Sequence, residues 1–229
     1  MIFKNHTELS RKLAQDILLI AEKSISLKDE FKIVLTGGRS VVDLYEIFIK
    51  ADSNWDKWHI YISDERCLPA ENKDRNDHII NNLWLKHSPI PKSNIHFIRA
   101  ELGMVGAQVD YTDTMKHVGK IDVVLLSVGE DGHTASLFPN HKYSTNDSVV
   151  LEYDSPKYPK ERISLSYGRL NNSRYVFKII SGYSKKDVVR MLLQNEDVPI
   201  NNVNGDKNMI FICKDAIHNQ SNNFYKDLN

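Results

Sequence analysis

The sequence predicts an α/β fold, a three-layer α/β/α sandwich built on a mostly parallel, Rossmann-like sheet. Three observations predict it. Short apolar runs alternate with helix-period amphipathic segments along the chain. The run over 121–128 is apolar except for Asp122 and Ser127, the pattern of a strand buried on both faces and covered by helices. Finally, no linker or internal repeat divides the 229 residues. With 41% hydrophobic content, they read as one domain spanning 1–229 around one core.

Each element has a local reason. Asn5, with Glu8 three residues later, resembles a capping box. Leu9, Leu13, Ile17, Ile20, Ala21 and Ile25 then share one face of a helix. Residues 31–35 form a first strand, followed by the small-residue turn Thr36, Gly37, Gly38, Arg39, Ser40 and a helix carrying Val41, Leu44, Tyr45 and Phe48. Residues 58–62 form a second strand, ending in Asp64, Glu65 and Arg66; such a charged run fits a solvated loop or a site. Asn76 is expected to cap a helix bearing Ile79, Ile80, Leu83 and Trp84, which Pro89 and Pro91 terminate. A short strand over 95–98 precedes a helix whose apolar set is Val105, Val109, Tyr111, Met115 and Val118. After the buried strand, 140–160 reads as a polar loop with one strand at Val149, Val150 and Leu151. Further strands are expected over 162–166, 175–180 and 209–213, with a helix over 186–193 and a frayed tail from His218.

Composition excludes several classes of function. Lys plus Arg and Asp plus Glu cancel at 30 each, so no nucleic-acid footprint or surface for anionic membranes is expected. No apolar run approaches the ~20 residues that span a bilayer, and no signal segment opens the chain, so a cytoplasmic protein is expected. Cys67 and Cys213 stand far apart without a C-x-x-C spacing, and the nine histidines show no H-E-x-x-H. Neither a metal nor a cofactor is expected.

The chemistry gathers at strand ends. A Gly-Gly turn between strand and helix aims free backbone N–H groups at an anion, although neither the Walker nor the dinucleotide glycine spacing is present. Asp131, Gly132 and His133 follow the buried strand. There a histidine can move a proton near neutral pH and an aspartate can set its tautomer, while a plain tight turn accommodates the same three residues. In a parallel sheet the carboxyl ends of the strands share one edge. The 36–40 turn, Asp64 to Arg66, Asp131 to His133 and Lys185 would then converge into one pocket. No G-x-S-x-G supplies a serine nucleophile.

Taken together, these stretches resemble the 6-phosphogluconolactonase family, relatives of the glucosamine-6-phosphate deaminases. The run Asp131-Gly132-His133-Thr134-Ala135-Ser136-Leu137-Phe138-Pro139 matches that family's D-G-H-T-A-S-L-F-P signature residue for residue. Thr36 to Ser40 resembles its sugar-phosphate loop, and Asp64-Glu65-Arg66-Cys67-Leu68-Pro69 its D-E-R-C-V-P segment. Arg162-Ile163-Ser164-Leu165 is similar to its R-v-T-L strand, and Gly182-Tyr183-Ser184-Lys185 to its G-x-x-K turn. Ser127 and Ser63 stand where the family often has glycine.

The resemblance implies hydrolysis of 6-phospho-D-glucono-1,5-lactone to 6-phosphogluconate, a step of the oxidative pentose phosphate pathway, by a monomer or homodimer. It implies His133 as general base and Asp131 as its orienting partner. The phosphate would rest on Thr36, Gly37, Gly38, Arg39 and Ser40, with Asp64 also at the substrate and Arg66, Lys185 and Arg162 supplying polar or charged contacts. Either N–H groups of the 129–132 turn or Arg66 would hold the oxyanion. The sister deaminases carry a glutamate where Phe138 stands, and Phe138 cannot shuttle a proton. A deaminase or isomerase on the same scaffold, and a non-catalytic sugar-phosphate-binding protein, are the alternatives.

Overall fold

The structure, a computed structural model, describes residues 1–217; the frayed tail expected from His218 lies outside the described residues. The chain begins with β1 (Ile2–Phe3), α1 (His6–Lys28), β2 (Phe31–Leu35), α2 (Val42–Lys50), β3 (Trp58–Ile62) and β4 (Asp64–Arg66). Next come α3 (Asn76–Leu83), β5 (Ile95–His96), α4 (Gly103–Lys116), β6 (Ile121–Ser127), β7 (Val149–Glu152) and β8 (Arg162–Leu165). Helix α5 (Tyr167–Asn171), β9 (Ser173–Ile180), α6 (Lys186–Leu193), α7 (Pro199–Asn202) and β10 (Lys207–Cys213) complete it.

Seven strands form the central sheet in the order β1-β10-β9-β6-β2-β3-β5, with every neighbouring pair parallel. Helices flank it. From β2 the chain steps to β3 and β5 on one side; β6, β9 and β10 build outward on the other. The direction of winding therefore reverses between β2 and β6, and a crevice opens where their following loops diverge. Both faces are covered, so 121–126 is wholly buried, Asp122 included. The Asp122 carboxylate is not stranded: it accepts from the Lys32 N–H and from Lys28 Nζ, each at 2.8 Å.

Several expectations need correction. Asp64–Arg66 is not a loop but strand β4, which pairs antiparallel with β8; β8 pairs with β7 to complete a second, three-stranded sheet. Ser63 couples the sheets, its N–H donating to Leu35 O at 2.9 Å and its carbonyl accepting from Leu165 N–H at 2.8 Å. Asn76 is not the cap of α3 but its first residue, and its side-chain amide donates to Asp64 O. The cap comes from afar: the buried Glu65 carboxylate accepts the N–H groups of Asn76 at 2.7 Å and Asp77 at 2.8 Å. It also accepts Arg66 N–H, so an acidic residue in mid-strand serves a helix start. On α4, Met104 and Ala107 join Tyr111 and Met115 in the interior, while Val105 and Val109 are each 64% exposed. The valines thus lie on the outer face, not the inner one that their spacing predicts, because a glycine-rich start blurs the period. The third strand is only Ile95–His96, and the short helices α5 and α7 carried too few residues to show periodicity.

Elsewhere the local reading holds. Asn5 caps α1, accepting Glu8 N–H at 2.9 Å, although the reciprocal Glu8 carboxylate reaches Lys4 N–H rather than Asn5. Trp55, Trp58, Trp84 and Phe48 pack ring against ring beside β3.

One buried cation lacks a counter-charge. Lys178 on β9 is 3% exposed, and its ammonium reaches only Asn204 Oδ1 at 3.4 Å among the described residues. Burial pulls its pKa down to about 8 from 10.5. The unfolded chain thus binds more protons between those values, and stability rises with pH across that window. Lys178→Met is expected to raise the unfolding free energy at neutral pH by up to about 3 kcal/mol. Urea titrations at neutral and at alkaline pH should show that gain and the loss of the pH slope.

Candidate active site

The loops after β9, β6 and β2, three adjacent strands, enclose a cavity of about 530 Å³. Its wall includes Gly38 and Ser40 from the first turn, Ser127 to Glu130 and His133 from the second, and Ser181, Gly182, Ser184 and Lys185 from the third.

The middle loop carries a hydrogen-bonded Asp131–His133 pair. His133 Nδ1 is hydrogen-bonded to Asp131 Oδ1, and the same oxygen accepts the His133 N–H at 3.1 Å. Burial pushes the Asp131 carboxyl up, but hydrogen bonds to His133 and its charge outweigh that and hold it at about 2. An ionised carboxylate only accepts, so Nδ1 carries a proton, and it is Nε2 that presents a lone pair whenever the ring is neutral. Backbone geometry makes room for the pair. A Cβ on Gly129 would lie 2.0 Å from His133 Nδ1 and 2.7 Å from Asp131 Oδ1, so only glycine lets the pair lie over this backbone. Gly132 adopts φ +82 and packs so closely that a Cβ would meet Val198 at 2.7 Å. The other ring face is closed by Phe138, its centroid 4.7 Å away.

The flanking turns repeat one design. Gly38 (φ +96) and Gly182 (φ +104) each start a single 3₁₀ turn, Arg39–Val41 or Tyr183–Lys185, that runs straight into α2 or α6. Both are strand–glycine–helix starts of the kind that favours an anion. Thr36 is 4% exposed and ties the first two loops together, its hydroxyl 3.2 Å from that of Ser127. Gly37 is buried against Asn76, where a Cβ would lie 2.0 Å from the side-chain oxygen. Thr36 and Gly37 thus shape the turn, whereas Gly38 and Ser40 face the cavity.

Asp64, Arg66 and Arg162 stand elsewhere, none of them among the residues lining this cavity. Asp64 is 6% exposed; its two carboxylate oxygens accept from the hydroxyls of Ser63 (2.8 Å) and Ser136 (2.7 Å), which anchors the signature loop to β4. Arg162 is buried and donates to the carbonyls of Lys157, Tyr158 and Pro159. Arg66 donates to Asp74 O. As placed, Asp64 and Arg162 hold loops, whereas the Arg66 Nε has no hydrogen-bond partner among the described residues. Arg162 acts on the cavity through Lys157, which lines it and was missed in the sequence because the polar 140–160 segment offers no motif. The Glu130 carboxyl is held below its usual range by the Ser184 hydroxyl and then by Lys185 and Lys157, which places both lysines near the rim. Also missed was the support behind Phe138: Tyr143 Oη accepts Phe138 N–H at 3.0 Å and donates to the buried Glu152 carboxylate.

A family model described as glucosamine-6-phosphate isomerases/6-phosphogluconolactonase matches residues 4–211. The chain belongs to that family. A rice (Oryza sativa subsp. indica) protein named probable 6-phosphogluconolactonase 4, chloroplastic, is 31% identical over 86% of this chain. The match spans 66% of the rice protein's length, just under two thirds. The crystal structure of 6-phosphogluconolactonase from Thermotoga maritima superposes with a TM-score of 0.87 at 27% identity, covering 93% of this chain and 98% of that one. A monomeric glucosamine-6-phosphate deaminase superposes at 0.80 with 21% identity, covering 94% and 97%. The family's fold thus carries both chemistries, and the side chains must separate them.

Ser136→Ala would leave a buried Asp64 oxygen without its donor. It is expected to cost about 1–3 kcal/mol, read as a lower urea midpoint with an unchanged slope, whereas Ser40→Ala on the open turn should leave the midpoint in place.

Proposed function

We propose that the protein hydrolyses 6-phospho-D-glucono-1,5-lactone to 6-phosphogluconate, the lactonase step of the oxidative pentose phosphate pathway, as a single cytoplasmic domain. The observation that carries this reading is the Asp131–His133 pair over Gly129, facing a cavity whose opposite walls are two glycine turns and Lys185. The names of the rice and Thermotoga relatives support it.

A lactone is an activated ester, so water can attack it directly. His133 Nε2 takes a proton from water as the water oxygen bonds to C1, leaving imidazolium and a tetrahedral oxyanion. The ionised Asp131 stabilises the imidazolium. Gly129 and Gly132 spend their N–H groups inside the turn, on His133 O and Gly129 O. The Glu130 and Asp131 N–H groups are left as donors for the oxyanion. Collapse breaks the bond from C1 to the ring oxygen, which takes the proton back from imidazolium. The new carboxylic acid then ionises, releasing one proton to solvent.

The phosphate sits against Gly38, Ser40, Gly182 and Ser184, with Lys185 and Lys157 as point charges. At position 138 a phenyl ring, not a carboxylate, lies against the His133 imidazole. An amine-handling relay therefore lacks a member here, whereas lactone hydrolysis needs none.

The test is acid release from lactone generated in situ, compared with the unaided rate, beside a second arm with glucosamine 6-phosphate. His133→Ala is expected to lower kcat by about 10²–10⁴ with KM little changed. Lys185→Ala should instead raise KM by about 10- to 100-fold, the loss of roughly 1.5–3 kcal/mol from a charge-assisted bond. Full activity in His133→Ala, or ammonia release in the second arm, would overturn the reading.

A further inference from the structure

Arg169 is a buried cation with an open side. It is 7% exposed, at the third residue of α5. Its Nε donates to the Met115 thioether at 3.3 Å and its Nη2 to Gly119 O at 2.8 Å. A guanidinium carries five N–H donors, and a thioether is a weak acceptor. Among the described residues Nη1 has no hydrogen-bond partner, yet it is not among the polar atoms sealed from solvent. The ionisable groups that act on Arg169 are Tyr111 and Tyr61, and burial keeps both phenols neutral at physiological pH. Buried charges are ordinarily paired, because desolvation without a counter-ion is strongly unfavourable.

Arg169 lines a separate cavity of about 380 Å³, together with Lys116, Gly119, Asp147, Ser148 and Asn172. Gly119 leads into β6 and Asn172 into β9, so this cavity adjoins the amino ends of strands whose carboxyl ends carry the acid–base loop. The seven residues of β6 put about 20 Å between the two. Lys116 adds a second cation, paired at 3.1 Å with Asp113 on its own helix. Asp147 is the one acid on the wall; it is exposed and makes no ion pair among the described residues. It does not neutralise Arg169.

We propose that this cavity is a second oxyanion site, binding a phosphate group, free or on a small ester, through the Arg169 guanidinium. Guanidinium geometry matches two phosphate oxygens at once, and hydroxyl and amide donors on the same wall complete the coordination. The site is independent of the proposed catalysis, since none of its residues lines the other cavity.

Thermal unfolding and calorimetric titration with inorganic phosphate, then with glycerol phosphate, test it in a Lys185→Ala background that weakens the catalytic site. Phosphate is expected to raise Tm by about 2 °C or more in that background, and adding Arg169→Met should abolish the rise. Alone, Arg169→Met should keep lactone turnover and match or exceed the parent Tm without phosphate, as replacing an unpaired buried charge does. A rise with the ester only would assign the site to a phosphate monoester; a rise with both, to the phosphate group itself. Equal phosphate response with and without Arg169 overturns the proposal. Should Arg169→Met fail to fold, Asp147→Asn tests the same wall: phosphate affinity increases several-fold if the site exists. A lower Tm with unchanged affinity makes Asp147 the internal partner of Arg169 and sinks the proposal.

Discussion

The reversal of strand order between β2 and β6 is the constraint on which the rest depends. Because every neighbouring pair in the large sheet is parallel, the loops after β9, β6 and β2 emerge at one edge and side by side. The reversal keeps the crossing helices from filling the space between them. Three glycines then let backbone occupy that space: Gly38 and Gly182 through positive φ, Gly129 by having no Cβ under the imidazole. The Asp131–His133 pair, a glycine turn and a lysine thus meet although they lie far apart in the chain.

The second sheet explains charges that otherwise look catalytic. Asp64, Glu65 and Arg162 belong to its β4 and β8, where each is buried and spends its polar atoms on the scaffold. Asp64 fastens the signature loop through Ser136, Glu65 caps α3, and Arg162 pins the backbone that carries Lys157. Buried charge is tolerable only where hydrogen bonds replace water, and here the replacement doubles as positioning. The precision of the His133 site is therefore set partly by residues that never face the cavity.

The legible features were those with local causes. The cap at Asn5, the strands β2, β3 and β6, and helix α6 follow from patterns a few residues long, and the parallel sheet follows from their alternation. The Asp131–His133 pair was readable because its two members stand two residues apart on one turn. What stayed hidden depends on contacts across the chain. Nothing near Asp64 announces that Ser164, a hundred residues later, pairs with it in β4–β8 and makes a charged run a strand. Likewise Lys157 lines the cavity on a segment whose carbonyl is gripped by Arg162, from a later strand. The misread face of α4 has a different origin: Gly103 and Gly106 near its start leave the apolar period ambiguous.

The central claim is that Asp131 fixes the neutral His133 ring with its proton on Nδ1, leaving Nε2 free to accept one from water. Nitrogen-15 NMR of the histidine rings, with 6-phosphogluconate added to the protein, addresses this directly. The account predicts an Nδ1–H, bare-Nε2 signature for His133 and a ligand-induced shift at Nε2. An Nε2–H tautomer, or a His133 ring indifferent to ligand while Lys185 responds, would contradict it.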